Sequence, residues 1–322
     1  MHMNNFFRKI KKYIGHPSNI VLFFCVHGLF NWMPDEPYMK LVYKLRLGEK
    51  LDLKNPQTFS EKIQWLKLHD RKDLYTRLVD KYEAKRHVSS LIGEEYVVPN
   101  YGVWNSFDDI DFDILPNQFV LKTTHDANGV YIVKNKENMD IKKARKFLNY
   151  HLNTNFWWPF REWTYKNVKP RIIAEKFLFE DSVGGSTDKR FSDLINYKFY
   201  CFDGVPRFLY CEVTDFSNDT KGECRLSFFD MKFNPAPFGR NDHEPVPKEV
   251  MKPNNFNEMV GIASKLSNGI PFVRIDLYDI NGNIYFSEYT FSPGAGQTPF
   301  SPSEWERRIG EYINIDSVKI TA

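Results

Sequence analysis

Two runs rich in β-branched and aromatic residues, Pro271 to Tyr278 and Ile284 to Thr290, flank Asn281-Gly282, a pattern that predicts a β-hairpin. What each side of the ribbon presents depends on its loop. A two-residue turn sets Asp276 and Glu288 on opposite faces. A three-residue loop, Ile280 to Gly282 with the glycine left-handed, brings Arg274, Asp276 and Glu288 onto one face. Val273, Ile275, Leu277, Tyr285 and Tyr289 then form an apolar set on the other, and because that set suits a core, the longer loop is the expected one. Two carboxylates and an arginine projecting from a mostly apolar hairpin are costly unless they pair or bind a cation. The ribbon is therefore either a structural ion cluster or a metal site.

Helical periodicity dominates residues 35 to 92. Thr58-Phe-Ser-Glu61 has the form of a capping box behind Asn55-Pro56, and Ile63, Leu66 and Trp65 follow on the inward side. A second helix carries Leu74, Leu78, Val79, Tyr82 and Val88, contains Asp80-Lys81, and ends at Gly93. Short strands are predicted over Tyr96 to Val103, Gln118 to Thr123 and Val130 to Val133. The last two enclose His125-Asp-Ala-Asn-Gly129, a loop that, with Lys122 at its edge, can lay amides and an ammonium over a phosphate chain. Asp140 caps a helix through Leu152. Strands follow over Arg171 to Phe179, Leu194 to Phe202, Val205 to Val213 and Arg225 to Phe229, with a Gly/Ser-rich polar loop from Glu180 to Arg190. A helix from Asn255 to Ser267 delivers the chain into the hairpin. Helices fill the first half and strands the second, so the class is α+β.

The chain has 322 residues, more than one ordinary core needs, which predicts two or three lobes sharing a cleft. A net charge of +3, without a dense basic stripe, excludes nucleic acid as a partner class. Cys25, Cys201, Cys211 and Cys224 show no zinc-like spacing and read as reduced thiols of a cytoplasmic protein. No secretory signal is apparent, and the apolar run Ile20 to Met33 falls short of the roughly 20 residues a spanning helix requires. Upstream, Phe6, Phe7, Ile10, Tyr13 and Ile14 recur at helical spacing opposite Arg8, Lys9, Lys11 and Lys12. Such a helix over residues 6–14 could lie peripherally on an anionic inner-membrane surface or pack against the body of the protein. Trp157, Trp158 and Trp163 could stack on sugar rings or fill a core.

An ordered set of motifs runs through the chain. Asn55-Pro-Gln-Thr-Phe-Ser-Glu-Lys-Ile-Gln-Trp65, Asp80-Lys-Tyr82, Phe119-Val-Leu-Lys-Thr-Thr-His125 and Arg161-Glu-Trp163 come first. Lys169-Pro-Arg-Ile-Ile-Ala-Glu-Lys-Phe-Leu178, Tyr197-Lys-Phe199 and Phe272-Val-Arg-Ile-Asp-Leu-Tyr278 with Glu288 complete it. Together they resemble the TupA-like branch of the ATP-grasp superfamily, named for teichuronopeptide biosynthesis and found in bacterial polysaccharide loci. The resemblance spans roughly residues 40 to 312.

It implies an ATP-grasp fold, two α+β lobes clasping a nucleotide. A helical extension would occupy residues 1–54, an N-terminal lobe 55–117, and the two ATP-grasp halves 118–179 and 180–322. ATP and Mg2+ are the implied cofactors. Lys81, Lys122 and the loop at His125 match the phosphate-binding positions. Lys176 and Leu178 match the hinge whose backbone pairs with the adenine edge, with the Glu175 carboxylate at the adenine amino group. Lys198 faces the transferring phosphoryl group with Arg274 beside it, and Asp276 and Glu288 match the magnesium carboxylates. Thr290 stands where the superfamily usually has asparagine, as third ligand. Asp126 adds a negative charge near the phosphates and must point away or pair with a lysine.

The activity implied is that of a carboxylate–amine ligase working through an acyl phosphate. It would join a uronic acid or glycan to an amine or amino acid in the synthesis of capsular or other surface polysaccharide. Such chemistry needs positioning and charge neutralisation, without a nucleophilic side chain. A glycan phosphotransferase on the same fold and a glycosyltransferase are the alternatives. A catalytically dead module would have no reason to keep five costly charges.

Overall fold

The computed structural model describes residues 17–178, 194–215, 223–246 and 250–318. The predicted amphipathic segment at residues 6–14 and the polar loop 180–190 lie outside them.

Helix α1 (Pro17–Val26) packs on α2 (Asp35–Leu47) through Cys25, Tyr38 and Val42. Helix α3 (Phe59–His69) begins at the expected capping box: the Thr58 hydroxyl accepts from the Glu61 amide, and the Glu61 carboxylate takes the Thr58 amide. The single helix expected from Leu74 to Val88 is two, α4 (Asp73–Val79) and α5 (Lys81–Ile92). The break is at Asp80, whose side chain accepts from the amides of Tyr82 and Glu83 and starts a new helix with Lys81 as its first residue. Helix α6 (Ile141–Leu152) is capped by Asp140 as expected. Helix α7 (Phe256–Ser267) precedes the hairpin, and α8 (Glu304–Gly310) follows it.

Two antiparallel sheets carry the architecture. The first contains β1 (Asn100–Trp104), β2 (Phe119–Thr123), β3 (Val130–Val133) and β4 (Ile172–Lys176) in the order β1-β4-β2-β3. Strand β1, from the segment expected to close one lobe at residue 117, is thus part of the sheet of the next. One face of this sheet is covered by α6 through Phe119, Leu121, Ala144, Leu148 and Ala174. The second sheet contains β5 (Asn196–Phe202), β6 (Val205–Asp215), β7 (Glu223–Asp230), β8 (Phe272–Ile280) and β9 (Asn283–Thr290) in the order β7-β6-β5-β8-β9.

The five-stranded sheet is buried on both sides. Tyr197, Phe199, Cys201, Leu209, Val273, Ile275 and Leu277 pack on one side against α7 and against Leu78, Ala84 and Val88 of α4 and α5. Tyr200, Phe202, Phe208, Tyr210, Phe228 and Phe272 form an aromatic layer on the other, closed by Phe59 and Ile63 of α3 and Ile309 of α8. Helix α5 joins the two sheets. One stripe carries Lys81, Ala84, Lys85 and Val88, at i, i+3, i+4 and i+7; its apolar pair enters the five-stranded core and its ammonium groups reach the four-stranded sheet.

The β8–β9 hairpin corrects one expectation and preserves its consequence. Ile280 pairs with Asn283, so the loop is the two-residue Asn281-Gly282, with φ values of 51° and 82° as a type I′ turn requires. This turn matches the twist of the strands, which the three-residue loop does not need to do. Alternation would then separate Asp276 from Glu288, but a β-bulge intervenes. Leu277 pairs with Phe286 and Asp276 with Glu288, leaving Ser287 as the extra residue. Both carboxylates return to one face. Tyr285, expected in the core, pairs instead with Tyr278 on the other side of the bulge, and Ile284 and Phe286 take its core place.

Candidate active site

The charged face of the five-stranded sheet is built by register. Lys198 pairs with Tyr210 on one neighbour and Asp276 on the other, Asp276 with Glu288, and Arg274 with Thr290. All therefore project to one side, beyond the end of the aromatic layer. Arg274 forks onto Asp276, Nε to Oδ1 at 2.6 Å and Nη2 to Oδ2 at 2.7 Å, a bidentate geometry that arginine alone can make. The same guanidinium donates to the Tyr210 hydroxyl at 3.0 Å, to Glu288 at 3.1 Å and to Thr290 at 2.9 Å. Lys198 lies 2.9 Å from Glu212 and 3.5 Å from Asp276.

Asp276, Arg274 and Lys198 are buried, Glu288 and Glu212 half-buried, and the charges shift one another. Burial pushes the Asp276 carboxyl up to about 6, against the pull of Arg274 and Lys198. At Glu288, burial is outweighed by Arg274, Lys198 and Lys81, which hold it near 2. With one carboxyl raised and its neighbour lowered, Asp276 is the member of the pair that takes up a proton first.

The four-stranded sheet answers with positive charge. Glu175 is buried between Lys122 at 2.6 Å and Lys85 at 3.1 Å. Burial opposes its ionisation, but the two lysines hold it near 2. The carboxylate expected at an adenine amino group is thus engaged by two ammonium groups. Lys85 also donates to the Val98 carbonyl at 3.0 Å. The Lys176 amide donates to Pro99 at 2.9 Å within the sheet, so that group of the expected hinge is already paired; Leu178 is half-buried just beyond the strand.

Lys81 acts on the loop between β2 and β3. Its ammonium donates to the Thr123 carbonyl at 3.1 Å and to the Asp126 carbonyl. The Asp126 carboxylate is turned away from the cleft, accepting from Thr123 Oγ1 at 2.5 Å and the Gly129 amide at 3.0 Å and contacting His151. It points away as the charge argument required, with the His151 ring beside it. A Cβ at Gly129 would fall 1.7 Å from the Thr123 hydroxyl, so this position admits only glycine in the observed loop. His125 is buried with Nε2 3.0 Å from the Thr154 carbonyl, and burial lowers its pKa; it braces the loop against the end of α6.

The two walls face one cleft. Glu288 is within electrostatic reach of Lys81 and Lys122, and Tyr278 within reach of Lys122. The sequence-predicted Lys81, Lys122, Glu175, Lys198, Arg274, Asp276, Glu288 and Thr290 all gather there. Lys85, Tyr210 and Glu212 join them without having been anticipated. The signal for Lys85 was its i+4 spacing from Lys81; for Tyr210 and Glu212 it was alternation with period 2 on a strand paired to that of Lys198. In the tryptophan segment Trp157 is buried, with Arg161 stacked 4.7 Å and Lys166 4.6 Å from its ring, while Trp158 and Trp163 are half-buried.

Among the described residues, no group of three or more His, Cys, Asp or Glu is placed to hold a metal. The oxygen set on offer is Asp276, Glu288 and the Thr290 hydroxyl, which lies 3.2 Å from Glu288. Two adjoining carboxylates, one of them made reluctant to ionise by burial, fit a hard divalent cation that completes its shell with water and phosphate oxygens.

A family model described as TupA-like ATPgrasp matches residues 61–314. A poly-beta-1,6-N-acetyl-D-glucosamine N-deacetylase of Staphylococcus epidermidis is 29% identical over 167 residues, which cover 48% of this chain and 52% of that protein. The chain therefore spans about half the length of the curated relative it matches. Among solved structures, the D-alanine–D-alanine ligase of Helicobacter pylori is 12% identical with a TM-score of 0.42, covering 83% of this chain and 68% of that one. The ATP-grasp ligase PsnB, complexed with a phosphomimetic variant of its minimal precursor, Mg and ADP, is 11% identical with a TM-score of 0.41, covering 77% and 61%.

Proposed function

Because this chain belongs to the TupA-like ATP-grasp family, we propose that it is an ATP-dependent ligase that joins a carboxylate to an amine. The observation that carries the reading is the convergence of Lys81, Lys85 and Lys122 from one sheet with Lys198, Arg274, Asp276 and Glu288 from the other. A cationic wall opposite an anionic one suits a triphosphate bound with a divalent cation between them.

Lys122, oriented by Glu175, offsets phosphate charge. Lys81 holds the loop whose amides cover the phosphates. The end of β4 from Lys176 to Leu178 forms the edge for adenine. Asp276, Glu288 and Thr290 are the ligands for Mg2+, which when bound neutralises charge on the transferring phosphoryl group. Lys198 and Arg274 stabilise the charge that develops on that group. The carboxylate oxygen attacks the γ-phosphorus of ATP, giving an acyl phosphate and ADP. The amine then attacks the acyl carbon, and an amide, inorganic phosphate and a proton result.

The glycan class of one substrate is supported by the relative named for an amino-sugar polymer. We assign a uronic acid or glycan carboxylate as the phosphoryl acceptor, and an amine or amino acid as its partner, in surface polysaccharide synthesis. Use of ATP puts the reaction in the cytoplasm. No helix among the described residues is long and apolar enough to cross a membrane.

The test is ADP and phosphate release with a panel of uronic acids crossed with amines, with Asp276→Ala as the blank. Hydroxylamine in place of the amine should trap a hydroxamate. Radiolabelled phosphate retained on a sugar, dependent on Asp276, would make the enzyme a phosphotransferase instead.

A further inference from the structure

From Ile20 to Val26, helix α1 is apolar on every side, a pattern that normally belongs to a buried helix. Only part of it is buried. Val21, Leu22 and Cys25 pack on α2, and Phe30 and Met33 of the following turn join them. Ile20 and Phe24 face outward with 40% and 43% of their surface exposed, and Leu29 and Trp32 beyond them with 58% and 76%. From Pro17 to Met33 there is no Asp, Glu, Lys or Arg to solvate this face. The sixteen residues that precede it carry Arg8, Lys9, Lys11 and Lys12 and no acidic residue.

We propose that this face, with Phe24, Leu29 and Trp32 as its anchors, docks on the headgroup region of an anionic lipid bilayer. Two observations select a lipid surface over the other occupants. A tryptophan this exposed, beside leucine and phenylalanine, suits the boundary between headgroups and acyl chains. The adjoining basic run finds its counter-charge in anionic lipid, whereas a second copy would bring an identical positive run against the first. A helix of 10 residues rises only about 15 Å, so α1 lies on the bilayer rather than across it. The inference does not depend on the ligase reading, since none of these residues belongs to the cleft.

Flotation of the full chain tests it, with vesicles of phosphatidylcholine alone and of an equal mixture with phosphatidylglycerol. The wild type should float with the anionic vesicles and stay behind with the neutral ones. Phe24→Ser/Leu29→Ser/Trp32→Ser should lower the bound fraction by about tenfold or more. Trp32→Ser alone, at a position too exposed to disturb packing, should lower it in part while leaving the melting temperature unchanged. Failure of the wild type to float with anionic vesicles would overturn the proposal, as would flotation unaffected by the triple substitution. A dimer in sedimentation that the same substitutions disperse, without vesicle binding, would overturn it in favour of a second copy.

Discussion

The two walls of the cleft use the same kinds of residue to opposite effect. On the four-stranded side, one carboxylate, Glu175, is held between Lys85 and Lys122, with the ammonium of Lys81 nearby. On the five-stranded side, Asp276, Glu288 and Glu212 outnumber Arg274 and Lys198. The carboxyl groups differ in what decides their charge: two lysines pull Glu175 down near 2, while burial pushes Asp276 up to about 6 beside a Glu288 held near 2 by Arg274, Lys198 and Lys81. A buried carboxylate surrounded by surplus cations is a positioning device, and a surplus carboxylate beside another is an unmet demand for positive charge. On the proposed reading, the first wall takes phosphate and the second a cation.

Breaking the second wall should have the largest effect. Asp276→Ala removes one of the two paired carboxylates and the anchor of the Arg274 fork. ADP formation should fall by about 10³-fold or more, with circular dichroism showing a retained fold. Activity within about tenfold of wild type would place phosphoryl transfer elsewhere.

The first wall should fail in stability instead. Glu175→Gln leaves Lys85 and Lys122 without their shared partner in a buried setting, and should cost about 3–5 kcal/mol in denaturant unfolding. Because its folded pKa is depressed, Glu175 contributes stability that is fully present above about pH 4.5, the ordinary glutamate range, and is lost as pH falls towards 2. The variant should lose that part of the acid dependence. An unchanged acid limb would remove Glu175 from the account.

Titration of Asp276 sharpens the contrast further. A proton on its carboxyl group excludes a cation, so the Mg2+ requirement for nucleotide binding should strengthen as pH rises through about 6. Below that value the apparent affinity for Mg2+ should weaken by about tenfold per pH unit. Arg274→Lys gives a smaller and more local effect: the ion pair remains but the fork onto Asp276 is lost, and kcat should drop by about tenfold to a hundredfold with little change in melting temperature.

Much of this was legible along the chain, for identifiable reasons. The capping box at Thr58 and the Asp140 cap are local chemistry and were read correctly. The hairpin carboxylates were read onto one face, but through the wrong loop. A bulge at Ser287 adds one residue without any composition of its own to announce it, and it cancelled the error. The break at Asp80 was hidden because apolar positions continue at helical spacing on both sides, although Asp is a good cap. Lys85 was invisible because a lysine four residues after another reads as a solvated stripe; only the approach of β4 makes it a buried partner of Glu175. The roles of Trp157 and Arg161 depended on α2, whose Tyr38 ring closes over the guanidinium at 4.2 Å.

If phosphate and cation meet between the two walls, calorimetric titration with ATP will show it. Wild type should bind ATP more tightly with Mg2+ than without, and Asp276→Asn should keep the weaker, metal-independent binding while losing the gain. ATP binding that is indifferent to Mg2+ in the wild type, or a preference for uridine sugar nucleotides over ATP, would contradict it.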